Sequence, residues 1–364
     1  MNIPDEFPSY EKDNETDYNE NDTFPGDSTD FQWPVHPTPS GHYEISAIYS
    51  IAIAMYVIVF ALGVPGNGLV VWVTTFEMKK TVNSVWFLNL AVADLLCCLS
   101  VPFSVMTMAL GYWPMGLFAC KAIYSMLLLN MFASVLILTV ISIDRCALVL
   151  KPVWCQNKRT TRKAQVACLV IWCLAFLMSS PSFIFRNIKQ GKHGSICSYN
   201  YGSAGGHKEK VENSIAIFRL LMGFVIPFVG ITGCYSVLMR HVSVRFTQSN
   251  KQNKSLKVIL IVVIGFFACW LPYHVAGLIL STESSTSPLF KSTLMVDPIL
   301  IAIAFLNSCI NPIIYVLVGR EFKSKFKRSI KSIMKNALSE EVSQTIDSKR
   351  TKSTIESRNM DTIV

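Results

Sequence analysis

Charge is what this 364-residue sequence has least of: 16% of its residues are Asp, Glu, Lys or Arg, against 51% hydrophobic. With a mean hydropathy of +0.39, that excludes an ordinary soluble domain, whose charged share is about a quarter. Catalytic signatures are missing too. There is no P-loop, no HExxH pair for zinc and no GxSxG nucleophile elbow, which argues against an enzyme. No repeat of about 20–50 residues occurs and neither half resembles the other, which weakens a transporter. Basic residues are nearly absent from residues 1–44, which hold Lys12 against eleven carboxylates. No apolar stretch follows a basic start there, so no secretory signal is read.

What is present is long apolar runs. The chain is organised around 117–150, where Cys120 to Cys146 spans 27 residues with few polar interruptions. As a helix that run measures about 40 Å, enough to cross a bilayer with some tilt. Seven such segments are expected near 45–75, 81–109, 117–150, 163–185, 213–240, 256–281 and 292–318. The expected fold is an all-α membrane protein, a bundle of seven transmembrane helices over 45–318. Lys and Arg crowd the connections after the first, third, fifth and seventh segments. By the positive-inside rule those lie in the cytoplasm and residues 1–44 outside, in a multi-pass plasma-membrane protein. The basic residues therefore suit a membrane surface and not nucleic acid. The connection 186–212 dissents: it is outer yet carries Arg186, Lys189, Lys192, Lys208 and Lys210.

Residues 1–44 read as a disordered acidic tail. Its sequons at Asn14 and Asn21 are glycosylation acceptors on the outer side. After Tyr315, residues 319–335 place Phe322, Phe326, Ile330 and Ile333 on one stripe among Lys and Arg. That is an amphipathic helix lying on lipid, after the seventh span. Residues 336–364 form a cytoplasmic tail rich in Ser and Thr. Its phosphorylation candidates are Ser339, Ser343, Thr345, Ser348, Thr351, Ser353, Thr354 and Ser357.

Of eleven cysteines, only Cys120 and Cys197 are placed on the oxidising side, so a disulfide joining the second outer connection to the top of the third helix follows from topology. Polar groups inside lipid need partners. Asn67, Asp94, Asn130, Ser134, Asn307 and Asn311 must satisfy one another or water, and a carboxylate among neutral oxygens also suits a small cation. Asp144 and Arg145 close the third helix as an expected ion pair, from which Arg145 could turn to Tyr235. Arg186, Arg219 and Asp297 put charge at outer membrane depth, with Tyr273 and Leu127 expected on the pocket floor.

The motifs Gly66-Asn67, Leu90-Ala91-Val92-Ala93-Asp94, Asp144-Arg145-Cys146, Trp172, Pro227, Tyr235, Cys269-Trp270-Leu271-Pro272-Tyr273 and Asn311-Pro312-Ile313-Ile314-Tyr315 fall in order along the segments. In this the chain resembles the rhodopsin-like G-protein-coupled receptors; Cys146 departs from the Tyr usual there. Within their chemoattractant group it is similar to the complement anaphylatoxin receptors. LLNMFAS (128–134), LKPVWCQN (150–157), IFRLLMGF (217–224) and SLKVILIVV (255–263) resemble those for the component 5a fragment.

The resemblance implies a peptide or protein ligand, a complement fragment, whose terminal arginine is gripped by Arg186, Arg219 and Asp297. It implies a heterotrimeric G protein, of the inhibitory class, driving chemotaxis and inflammatory signalling, and arrestin recognition of the phosphorylated tail. It implies sodium at Asp94, a packing relay through Trp270, and an activation switch that includes Tyr315. It implies sulfation of Tyr10 and Tyr18. Receptors for the component 3a fragment, chemerin and formyl peptides share parts of these patterns, so those ligands stay open, as does a non-signalling decoy.

Overall fold

The computed structural model describes residues 35–37, 43–45, 47–191, 194–244 and 250–318. Of 35–37, 43–45, 203, 242–244, 250–258 and 314–318 it describes the backbone alone. Buried in lipid, a backbone must satisfy its own polar groups, which leaves the helix as the form for these apolar runs. The helices are α1 (Ala47–Trp72), α2 (Val82–Leu110), α3 (Gly116–Leu150), α4 (Pro152–Lys158), α5 (Thr161–Phe185), α6 (Lys208–Leu220), α7 (Ile226–Val244), α8 (Asn250–Thr282) and α9 (Pro288–Val318). Seven spans among the described residues are long and apolar enough to cross a membrane: Ala47–Glu77, Val82–Leu110, Gly116–Leu150, Thr161–Phe185, Ala204–His241, Ile259–Thr282 and Pro288–Ile313. They match the seven expected segments to within a few residues, except that the fifth begins earlier.

Local chemistry sets the ends. Thr81 caps α2 reciprocally with Ser84, and Gly111 ends it with φ 74°, a left-handed residue that glycine supplies without strain. Pro152 opens α4, where its missing N–H costs nothing. Pro227 cannot accept a regular turn before it, and the preceding Leu221–Val225 is a π turn that links α6 to α7. The apolar core runs through the bundle, and α3 is its centre. In its most apolar window 72% of α3 is buried, against 22–56% for the other spans, as befits a helix that is hydrophobic all round. Elsewhere large side chains such as Phe118, Leu169 and Leu177 point outward, as lipid-facing positions do.

Two short β-hairpins accompany the expected all-α bundle. Val35–Pro37 (β1) pairs antiparallel with Tyr43–Ile45 (β2), His36 opposite Glu44. Val35, Tyr43 and Ile45 are good strand formers. Arg186–Gly191 (β3) and Gly194–Tyr199 (β4) form a second antiparallel hairpin, with Ile188 opposite Cys197. This hairpin covers one end of the bundle. Trp113 donates its backbone N–H to Ser195 at 2.6 Å, and Asn200 donates to Phe185 at 2.7 Å. The Cys120–Cys197 disulfide, with Cα atoms 5.7 Å apart, ties β4 to the first turns of α3, as expected.

Asn14, Asn21, Tyr10, Tyr18, the amphipathic segment 319–335 and the Ser/Thr tail lie outside the described residues, and the Tyr315 side chain lies outside the described side chains.

Candidate ligand pocket and switch

At the hairpin end, cationic and aromatic side chains converge. Arg186 starts β3 where α5 ends, and its guanidinium lies between two rings, 4.2 Å from the Tyr124 centroid and 4.3 Å from that of Tyr199. Tyr199 is stacked on Tyr201 at 5.6 Å and donates to Ser182 at 3.1 Å. Burial pushes the Tyr199 phenol up, but the charges of Arg186 and Arg219 and the Ser182 hydroxyl outweigh it, and the net direction is down. Arg219, on α6, donates to the Tyr273 hydroxyl at 3.2 Å and lies 5.0 Å from that ring's centroid. It fits there because Gly277, one turn on from Tyr273, has no side chain: a Cβ at that position would meet the guanidinium. Asp297 is half-buried and feels the charges of Arg219 and Arg186, yet among the described residues it has no ion pair within 4.0 Å. Leu127 is buried in the apolar core.

Below this pocket Trp270 is fully buried, 5.5 Å from Tyr273 and 5.9 Å from Phe266. His274 is buried beside it, packed on Phe224 at 5.4 Å, and both its ring nitrogens lack a hydrogen-bond partner, as does the Trp270 indole N–H.

A polar network fills the middle of the bundle. Asn311 donates to Asp94 Oδ2 at 2.7 Å, and Asn67 donates to the Ser308 carbonyl at 2.8 Å and that of Gly63 at 3.0 Å. With its nitrogen turned to face acceptors, the Asn130 amide donates to Asp94 Oδ1, Ala93 O and Ser134 Oγ at 3.2 Å each, and accepts from the Ser308 hydroxyl at 3.1 Å. Five of the six expected residues therefore meet here. Asn307 is buried too, but its Nδ2 has no partner. Two carboxamide oxygens, Asn67 Oδ1 and Asn311 Oδ1, are buried without a donor. A carboxylate with unsatisfied neutral oxygens near it is a donor set that fits a hard cation.

At the opposite end, where α4 lies, the expected Asp144–Arg145 ion pair is present, but a second arginine holds the carboxylate more closely. Asp144 is held by Arg159, whose Nε and Nη2 donate to its two oxygens at 2.7 and 2.9 Å. Arg145 stands 3.7 Å from the same carboxylate and is hydrogen-bonded to Asn83 Oδ1, which also accepts from Arg159 at 2.7 Å. The expected Asp144–Arg145 pair is thus the weaker contact. The reason is geometric: neighbours on a helix point apart, while Arg159, just past the end of α4, approaches Asp144 head-on with both donors. The Tyr235 hydroxyl is buried without a hydrogen bond.

A family model described as "7 transmembrane receptor (rhodopsin family)" matches residues 66–315. The chain belongs to that family. The receptor is 44% identical over 294 residues to the C5a anaphylatoxin chemotactic receptor 1 of Oryctolagus cuniculus, covering 80% of this chain and 83% of that one. It is 44% identical over 302 residues to the protein of the same name from Canis lupus familiaris, covering 82% of this chain and 84% of that one. For Homo sapiens the figures are 42% over 319 residues, 86% and 88%.

Several residues of the receptor's sites escaped sequence reading. Ser308 gave no signal beyond its place between two expected asparagines. Tyr199 enters the pocket only because β4 folds back over it, Tyr124 on α3 meets Arg186 at the start of β3, and Gly277 on α8 faces Arg219 on α6. Asn83 lies in the first turn of α2 and Arg159 just past α4, 76 positions on, and nothing local links them.

Proposed function

We propose that the receptor binds a complement anaphylatoxin peptide of the component 5a type at its hairpin end, outside the cell, and activates a heterotrimeric G protein of the inhibitory class at the α4 end. Chemotaxis and inflammatory signalling follow from that coupling. The observation that carries the ligand assignment is 42–44% identity, over at least 80% of the chain, to receptors named for C5a. The pocket supports it: Asp297 is an uncommitted carboxylate and Arg219 is held only by a neutral phenol. A peptide ending in arginine offers a guanidinium to the first and a carboxylate to the second.

Signal passage in this reading uses the groups beneath. Ligand contacts at Arg219 and Tyr273 press on Trp270, which packs on Phe266. The far end of that path is Arg145, which leaves Asn83 to reach Tyr235 and the G protein. A sodium ion, held by Asp94 with the oxygens of Asn67, Ser134 and Asn311, would neutralise the buried carboxylate. Arrestin would read the phosphorylated tail 336–364, the segment 319–335 would lie on lipid, and glycans at Asn14 and Asn21 and sulfates on Tyr10 and Tyr18 would dress the outer tail.

A G-protein activation assay in cells, run with the component 5a and 3a fragments, a formyl peptide and chemerin, tests the reading. Activation by the component 5a fragment at the lowest concentration is expected. Preference for another ligand overturns the ligand class, and tight binding without activation by any of them marks a decoy.

A further inference from the structure

We infer that Arg159 and Asn83 are positioning residues for the switch: Arg159 occupies Asp144 so that Arg145 is retained by a hydrogen bond to a neutral amide and only a long, 3.7 Å contact with the carboxylate. This rests on the signalling role proposed above for Arg145.

The geometry assigns the roles. Asp144 is the acceptor of a bidentate pair with Arg159 at 2.7 and 2.9 Å, the arrangement in which a guanidinium binds a carboxylate best. All three charged side chains are largely buried, at 11% exposure for Arg145, 12% for Asp144 and 21% for Arg159, so solvent screens them less than surface pairs. With both Asp144 oxygens engaged, Arg145 is left at 3.7 Å from the carboxylate and turns to Asn83, whose Oδ1 accepts from both arginines. Asn83 stands in the first turn of α2, held there by the Thr81–Ser84 cap. Three separate pieces of chain therefore meet on α3: the start of α2, the residue after α4, and Asp144-Arg145 itself. A hydrogen bond to a neutral amide is weaker than a close ion pair in such a site. Arg145 is thereby kept in place but released at small cost.

Removing Arg159 then has a sign opposite to that of removing a restraint. The vacated Asp144 captures Arg145, the resting state deepens, and activation becomes harder.

The test uses the full-length receptor, with surface expression and ligand affinity measured for each variant. In Arg159→Ala the peptide concentration for half-maximal G-protein activation should rise about fivefold and basal activity should fall, a shift typical of coupling energies, while ligand affinity in the absence of G protein stays within about twofold. Arg159→Lys should give an intermediate shift, since an ammonium cannot bind both oxygens in a fork. In an Asp144→Asn background Arg159→Ala should change nothing, because no carboxylate remains to capture Arg145. A merely structural Arg159 would lower expression and binding in both backgrounds. Raised or unchanged signalling in Arg159→Ala overturns the inference.

A reporter dye at the end of α8 nearest Arg145, on purified receptor, gives a second reading that needs no G protein: Arg159→Ala should reduce its ligand-induced change, and an undiminished change overturns the inference. Failure of the wild type to activate any G protein would instead sink the signalling role.

Discussion

Arg219 is bound to Tyr273 and not to Asp297: its guanidinium donates to the phenol at 3.2 Å and lies 5.0 Å from the ring centroid. Asp297 keeps a half-buried carboxylate with no cation within ion-pair distance among the described residues. An unpaired carboxylate at this depth costs free energy that a ligand cation recovers.

Trimming the terminal arginine from the peptide should therefore weaken activation of the wild type by tenfold or more, since losing a desolvated charge pair costs about 2–5 kcal/mol. In Arg219→Ala the same trimming should matter much less. A double-mutant cycle between that variant and the trimmed peptide should give a coupling above about 0.5 kcal/mol; additivity would send the residue back to a role inside the bundle.

Cys120→Ala should reduce surface expression and ligand binding together. The bond closes a sequence separation of 77 residues, and the chain-entropy account gives about 4.5 kcal/mol for such a loop. It also anchors the hairpin that carries Arg186 and Tyr199. Peptide mapping that finds both thiols free in an active receptor would contradict this.

Arg145→Ala should abolish G-protein activation and leave most ligand binding, because Arg145 sits at the α4 end, away from the pocket residues. The check is agonist-stimulated nucleotide exchange beside radioligand binding on the same membranes. Undiminished exchange removes Arg145 from the switch.

Thermal stability of the purified receptor should rise when sodium replaces choline, by about 1.4 kcal/mol at tenfold excess over Kd. Asp94→Asn removes the charge and should lose the dependence on sodium. Equal sodium effects in both proteins would leave the network hydrated and free of a bound ion.

The seven spans, the centrality of the third and the disulfide are legible in the chain before it folds, because run length, charge placement and cysteine position are local properties of a chain in a membrane. The sequence also marked Asp94, Asn130 and Asn311 as a cluster, since a polar group in hydrocarbon must find another. Tertiary structure decided which partner each charge takes. Asp144 has Arg145 next to it in sequence, but a helix turns adjacent side chains apart, leaving that pair at 3.7 Å, and the end of α4 delivers Arg159 as the closer partner. Arg219 and Asp297 are legible in the sequence only as charges at one depth; the room that Gly277 leaves lets Arg219 reach Tyr273. The β3–β4 hairpin brings Tyr199 under Arg186. Hydrogen-bond geometry is directional over a few ångströms, and only the packed helices set distances that finely between residues tens of positions apart.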